Sequence, residues 1–161
     1  MNTLCFLTIL LIFVADCFAV QIIIGTTIHP VNAPHKGIVS ASGNDKALLG
    51  TVHLKTFSVI PGLVHDNTHS FEMFGSGEYL RHSSFVMRLN KYDASDLFKK
   101  DASYRVISGM CKEGYVFQSY NYPKKGVKAD GNSITLSDIP DTNFEDFCWK
   151  FSKPWTTGYT L

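Results

Sequence analysis

From about residue 22 onward, apolar and polar positions alternate in short runs separated by polar or glycine-rich breaks. "FVMRL" (85–89) and "SITLS" (133–137) alternate with period two, the pattern of a strand with one buried face. Gly, Asn, Asp and Pro fall between the runs, as in "IPG" (60–62), "GSG" (75–77) and "DGN" (130–132), and mark turns. No stretch sustains a helical period. "DASDLFKKD" (93–101) comes nearest and predicts a single helical turn.

The runs also repeat. "TFSVIPGL" (56–63), "SYRVISGM" (103–110) and "CWKFSKPW" (148–155) share an aromatic residue, Phe57, Tyr104 and Trp149, at intervals of 47 and 45 residues. Earlier in each unit, "IIIGTT", "HSFEMF" and "YVFQSY" align on Ile24, Phe71 and Phe117, spaced 47 and 46 residues apart. Four strand-like runs in each of three units predict an all-β chain, and the threefold spacing favours a β-trefoil over an ordinary β-sandwich. The repeats then cover about residues 22–63, 69–110 and 115–155. Tyr104 and Trp149, locked to the period, are expected in the core rather than as exposed aromatic platforms.

The ends and the composition narrow the setting. Residues 1–19 carry the apolar run "LCFLTILLIFV" and end on small residues at Cys17 and Ala19, the pattern of a secretory signal peptide. That run is shorter than the roughly 20 residues a membrane span needs, and no second one follows. Residues 20–161 are expected to form a single secreted, extracellular domain, without membrane insertion and as a monomer. All 15 Lys and Arg lie beyond residue 19, and one of the 14 acids, Asp16, falls before it. The balance is nearly neutral with no basic stripe, which argues against nucleic acid as a partner. Cys5 and Cys17 belong to the leader. Cys111 and Cys148 remain, and in an oxidising compartment a disulfide between them is expected.

The second repeat carries "YLRH" at Tyr79–His82, "DASY" at Asp101–Tyr104 and a closing Gly109-Met110. The third opens with Phe117-Gln118-Ser119-Tyr120-Asn121-Tyr122-Pro123. This ordered set resembles the AbfB domain, the arabinose-binding module of α-L-arabinofuranosidase B enzymes, whose elements read F-x-S-x-N-x-P, Y-L-R-H, D-A-T-F and a hydrophobic G-L. The resemblance implies a β-trefoil and a shallow sugar pocket in each repeat, built on the His of the second element and the Asp of the third. Carried over, it designates His82 and Asp101, with Tyr79 as neighbour. A carboxylate accepts two sugar hydroxyls in charge-assisted bonds, and an imidazole donates or accepts. In repeat 3 the histidine slot falls on Ala129, and the acid slot, three residues before Trp149, on Asp146, which marks a weaker second pocket. In repeat 1 the slots fall on Ser40 and Leu54. One intact pocket, in repeat 2, is therefore expected, with an arabinofuranosyl or related glycan as partner.

Plainer roles compete with these. His82 can cap a strand, and Asp101 can bond turn amides. Tyr79 and Arg81 alternate with Leu80, so both are expected to point into solvent. Trp155 is the candidate for an exposed aromatic. His53, His65 and His69 match no zinc spacing, so neither metal nor cofactor is implied. No pair of acids stands out as a hydrolase couple, and G-x-S-x-G and H-E-x-x-H are absent. The resemblance implies a module without catalysis, because the enzymes it accompanies carry a separate, larger catalytic domain for which a single trefoil leaves no room; no turnover of an arabinofuranoside is expected. The alternative is a trefoil that keeps the scaffold but binds protein instead of sugar.

Overall fold

The computed structural model describes residues 23–153. Residues 1–22, including the expected signal peptide, Trp155 and the rest of residues 154–161 lie outside the described residues. Thirteen strands and two short helical turns follow one another along the chain. Repeat 1 holds β1 (Ile23–Thr26), β2 (Ile28–Pro30), β3 (Gly37–Ser40), β4 (Ala47–Gly50) and β5 (Phe57–Pro61). Repeat 2 holds β6 (His69–Met73), β7 (Glu78–Ser83), β8 (Val86–Lys91), α1 (Asp96–Asp101) and β9 (Tyr104–Ile107). Repeat 3 holds β10 (Tyr115–Ser119), β11 (Lys125–Asp130), β12 (Ser133–Asp138), a 3-10 turn (Glu145–Phe147) and β13 (Cys148–Phe151).

The pairing repeats three times. The first and last strands of each repeat pair as β1·β5, β6·β9 and β10·β13. Each last strand also pairs with the opening of the next repeat, as β5·β6, β9·β10 and β13·β2, which closes a ring. The middle strands form the hairpins β3·β4, β7·β8 and β11·β12. The hairpins meet at one end through matched backbone bonds: Leu49 N to Asn132 O, Leu89 N to Asp45 O and Leu136 N to Phe85 O, at 2.7–2.9 Å. A closed ring capped by three hairpins is the expected trefoil, and closure leaves few free edges.

Phe57, Tyr104 and Trp149 are fully buried, the last two as expected from their period. Tyr104 donates its hydroxyl to Leu80 O at 3.2 Å, and Trp149 donates its indole N–H to Val127 O at 2.8 Å. Leu80 and Val127 hold the same place in their hairpins, opposite Leu89 and Leu136. The repeat 1 counterpart, Ile38, takes its bond from Lys55 N instead, so Phe57 fills that slot without a polar tip.

One alignment shifts. Phe71 and Phe117 sit opposite Val59 and Val106, and the residue in the same relation to β13 is Ile28, opposite Phe151. Ile28 is buried, whereas Ile24 is 61% exposed. The opening of repeat 1 is split in two: Gly25 takes a left-handed φ of +66°, the β1·β5 register slips, and Thr27 separates β1 from β2. A slipped register breaks a period counted along the chain.

Cys111 and Cys148 form the expected disulfide, which closes a 37-residue separation and ties the end of repeat 2 to β13. Among the described residues, no helix is long and apolar enough to cross a membrane.

Candidate functional site

The register defines where one repeat hands over to the next. Phe57, Tyr104 and Trp149 lie opposite Met73, Ser119 and Pro30. Two residues further along come Gly75, Asn121 and Asn32, and three residues before each aromatic come Leu54, Asp101 and Asp146. Each junction is therefore built from the acid slot of one repeat and the opening loop of the next. At two junctions the acid and the amide meet: Asn121 Nδ2 donates to Asp101 Oδ1 at 2.9 Å, and Asn32 Nδ2 donates to Asp146 Oδ1 at 2.8 Å. At the junction of repeats 1 and 2 both are missing, replaced by Leu54 and Gly75.

Asp101 ends α1, and local sequence sets that helix. Ser95 caps it by accepting from Phe98 N at 3.2 Å, Asp96 lies in the first turn, and Lys99 and Lys100 lie in the last, all suited to the helix dipole. Phe98 anchors it in a small apolar cluster with Tyr79 and Ala102. Helix α1 thus presents the Asp101 carboxylate to β7. His82 Nε2 lies 3.3 Å from Asp101 Oδ1 and 3.4 Å from Ser119 Oγ. Arg81 Nη1 lies 3.7 Å from Asp101 Oδ2, and its Nε donates to Asn90 at 2.9 Å. Asn90 and Arg88 both donate to Asp45, so a polar chain runs from the repeat 1 loop to the site.

The pair is enclosed. His82 is 3% exposed and Asp101 6%. The ring of Tyr122 stands edge-on to His82, centroids 5.4 Å apart, and Phe85 stands edge-on to Tyr122 at 5.2 Å. Burial holds His82 below the ordinary imidazole pKa; the Asp101 charge opposes that shift and the Arg81 charge adds to it. The imidazole is therefore neutral at pH 7 and able both to donate and to accept.

The junction of repeats 3 and 1 keeps the acid and the amide but loses the cover. The His82 slot is Ala129, opposite Ile134 as His82 is opposite Met87. The Tyr122 slot is Ala33, next to Asn32. A cavity of about 230 Å³ opens there, lined by Pro30, Asn32, Ala33, Ala129, Asp130 and Asp146 among others. Asp146 is half exposed, and Lys128 Nζ stands 4.0 Å from it.

Two sequence expectations change at this point. Tyr79 does not point into solvent. It is buried against Phe98 under α1, and burial, with Glu72 nearby, raises the pKa of its hydroxyl. Alternation puts Tyr79 and Arg81 on the face away from Leu80, as expected, but α1 covers that face. Arg81 is likewise held, over the Phe98 ring at 5.1 Å. Sequence reading did not assign Asn121 and Tyr122 to the repeat 2 site, or Asn32 to the repeat 3 site, because each belongs to the opening of the following repeat. The F-x-S-x-N-x-P match had singled out Asn121 without saying which acid it serves.

Fold and site together describe a three-repeat β module whose polar groups gather at the repeat junctions, with no second domain among the described residues. The family model "Alpha-L-arabinofuranosidase B (ABFB) domain" matches residues 36–150, and the chain belongs to the AbfB family. An "Arabinofuranosidase/B-xylosidase" of Trichoderma koningii is 32% identical over 83 residues, 51% of this chain and 17% of that protein. A "Probable alpha-L-arabinofuranosidase B" of Aspergillus clavatus is 32% identical over 106 residues, 60% of this chain and 21% of that protein. The chain thus spans about a fifth of the length of these curated relatives, and only the AbfB domain is matched. Among solved structures, an arabinofuranosidase complexed with arabinofuranosyl-α-1,2-xylobiose aligns with TM-score 0.69 and 18% identity, over 83% of this chain and 31% of that one. A cytolethal distending toxin chain of Actinobacillus actinomycetemcomitans aligns with TM-score 0.64 and 12% identity, over 84% and 95%. At such identities the likeness concerns the fold.

Proposed function

We propose that this protein is a secreted, non-catalytic carbohydrate-binding module that takes arabinofuranose-type or related sugars at its repeat junctions. The primary site is in repeat 2, with His82 and Asp101 as the polar contacts and Tyr122 and Asn121 contributed by repeat 3. Asp146, over the open cavity between repeats 3 and 1, is the second. The observation that carries this reading is the Asn–Asp pair across the two junctions, Asn121 with Asp101 and Asn32 with Asp146. A furanose hydroxyl can join each pair without leaving a donor or acceptor unmatched. The secreted setting is supported by the leader-like residues 1–19 and by the Cys111–Cys148 disulfide. Titration with arabinofuranosyl oligosaccharides, for wild type and for His82→Ala with Asp101→Ala, tests the reading. Weak, saturable binding that the double variant loses is expected. Absence of binding, or binding indifferent to both this variant and Asp146→Ala, removes it.

A second reading has its own support. His82 and Asp101 stand 3.3 Å apart inside a nearly closed cluster, with Ser119 and Asn121 as their hydrogen-bond partners, as in a purely structural polar network. On that reading the module binds a protein through its surface. Capture of a partner from extracellular fluid that free arabinofuranosides fail to compete away would favour it. Turnover of p-nitrophenyl α-L-arabinofuranoside by the pure protein would contradict both readings.

A further inference from the structure

The turn that ends the β7·β8 hairpin holds a bulky aromatic where its counterparts in the other repeats have the short polar residues Asp45 and Asn132. Ser83 pairs with Val86, so Ser84 and Phe85 alone make the turn, and both take left-handed φ, 51° and 62°. Such a turn favours Asn-Gly or Asp-Gly, and a bulky residue there is a conformational outlier. In repeat 3 the same two-residue turn is Gly131-Asn132, with Gly131 (φ +62°) in the place of Ser84 and the short polar Asn132 in the place of Phe85; repeat 1 has a longer loop, with Gly43 at φ +75° and Asp45 supplying the matched carbonyl. What the cap needs from Phe85 is its carbonyl, which accepts from Leu136 N at 2.9 Å, and any residue supplies a carbonyl. The ring is not repaid by burial: Phe85 is 43% exposed and Tyr122 40%. Lys125 Nζ stands 5.1 Å from the Phe85 ring centroid while donating to Asp138, which steadies the ring from one side. The two rings lead from solvent to His82 without a break.

Resting on the sugar-binding reading above, we propose that Phe85 and Tyr122 form an aromatic platform for a second sugar ring, the one linked to the sugar held at His82 and Asp101. The platform makes this site a reader of linked glycan rather than of free monosaccharide. Pyranose and furanose rings each carry a face of C–H bonds, and an exposed aromatic face desolvates it at little entropic cost because the ring is already ordered. Backbone strain kept at an exposed aromatic beside convergent polar groups has a reason if the side chain meets a ligand. Repeat 3 has Asn132 in the Phe85 place and Ala33 in the Tyr122 slot, so its cavity lacks such a platform.

The test compares two probes, methyl α-L-arabinofuranoside and arabinofuranosyl-xylobiose, by calorimetric titration of wild type, Phe85→Gly and Phe85→Trp. Wild type should bind the trisaccharide more tightly. Phe85→Gly should weaken the trisaccharide roughly 3- to 10-fold, the scale of one aromatic contact. It should leave the monosaccharide within about twofold and keep or raise the thermal midpoint, because glycine suits the turn. Phe85→Trp should retain the preference. Equal weakening of both probes, an unchanged trisaccharide affinity, or a lowered midpoint in Phe85→Gly overturns the platform and leaves the His82–Asp101 site standing. Failure of wild type to bind either probe overturns both proposals together.

Discussion

Replacing Asp101 by Asn and Asp146 by Asn makes one chemical change at one repeat slot in two different surroundings. Asp101 is 6% exposed, and its carboxylate faces Asn121 at 2.9 Å, His82 at 3.3 Å and Arg81 at 3.7 Å. The amide keeps a carbonyl for Asn121 but strands the Arg81 guanidinium and turns a second N–H₂ toward groups that expect an acceptor. Breaking a buried pair from one side costs about 3–5 kcal/mol. Arg81 is partly exposed and keeps Asn90, so about 2–3 kcal/mol is the scale here. Asp146, 50% exposed beside Lys128 at 4.0 Å, should lose less than about 1 kcal/mol. Urea unfolding followed by tryptophan fluorescence reads both, Trp149 being fully buried. With a slope of about 1.5–2 kcal/mol per molar urea, Asp101→Asn should lower the midpoint by roughly 1–2 M, and Asp146→Asn by under about 0.6 M. Equal midpoint losses, or a loss at Asp101 below about 0.5 M, would refute the claim that enclosure distinguishes the two junctions.

Acid should destabilise the fold above the range where carboxylates titrate. Burial holds both His82 and His69 below the ordinary value near 6.5, so the unfolded chain binds their protons first. The stability they contribute is present above about pH 6.5 and is lost as pH falls through and below it. Urea midpoints measured from pH 7.5 to pH 5 should decline, and less steeply in His82→Gln; a flat wild-type profile would count against the neutral imidazole. Separately, Trp149→Phe should cost about 2–4 kcal/mol, since it removes both the N–H donated to Val127 and buried volume. Tyr104→Phe keeps its volume and should cost about 1–2 kcal/mol. If unfolding shows the two alike, the role of the indole bond is wrong.

Much of this architecture could be read along the chain. Strand-like alternation, turn residues and a period of about 46 residues are local or regularly spaced signals, and they located the core aromatics Tyr104 and Trp149. The disulfide followed from two cysteines left once an expected leader is set aside. The YLRH and DASY matches picked out His82 and Asp101 as a pair, and β7 and α1 bring them to 3.3 Å. Counting from the same motifs assigned Ala129 to the histidine slot, and the hairpin register agrees.

Other features depend on contacts that no period encodes. The split of β1 from β2 at Gly25 and Thr27 moved the repeat 1 core position from Ile24 to Ile28. Tyr79 reads as a solvent-facing strand residue until α1 folds over it. The junctions are the clearest case. Asn32 and Asp146 stand 114 residues apart, near opposite ends of the described chain, and only ring closure by β2·β13 makes them neighbours. Whether a slot is enclosed or open also depends on the next repeat: Tyr122 covers His82, whereas Ala33 leaves Asp146 over a cavity. Strand identity and burial period are set by each residue's own chemistry and its near neighbours. The composition of a junction is set by which distant segment the closed ring brings against it.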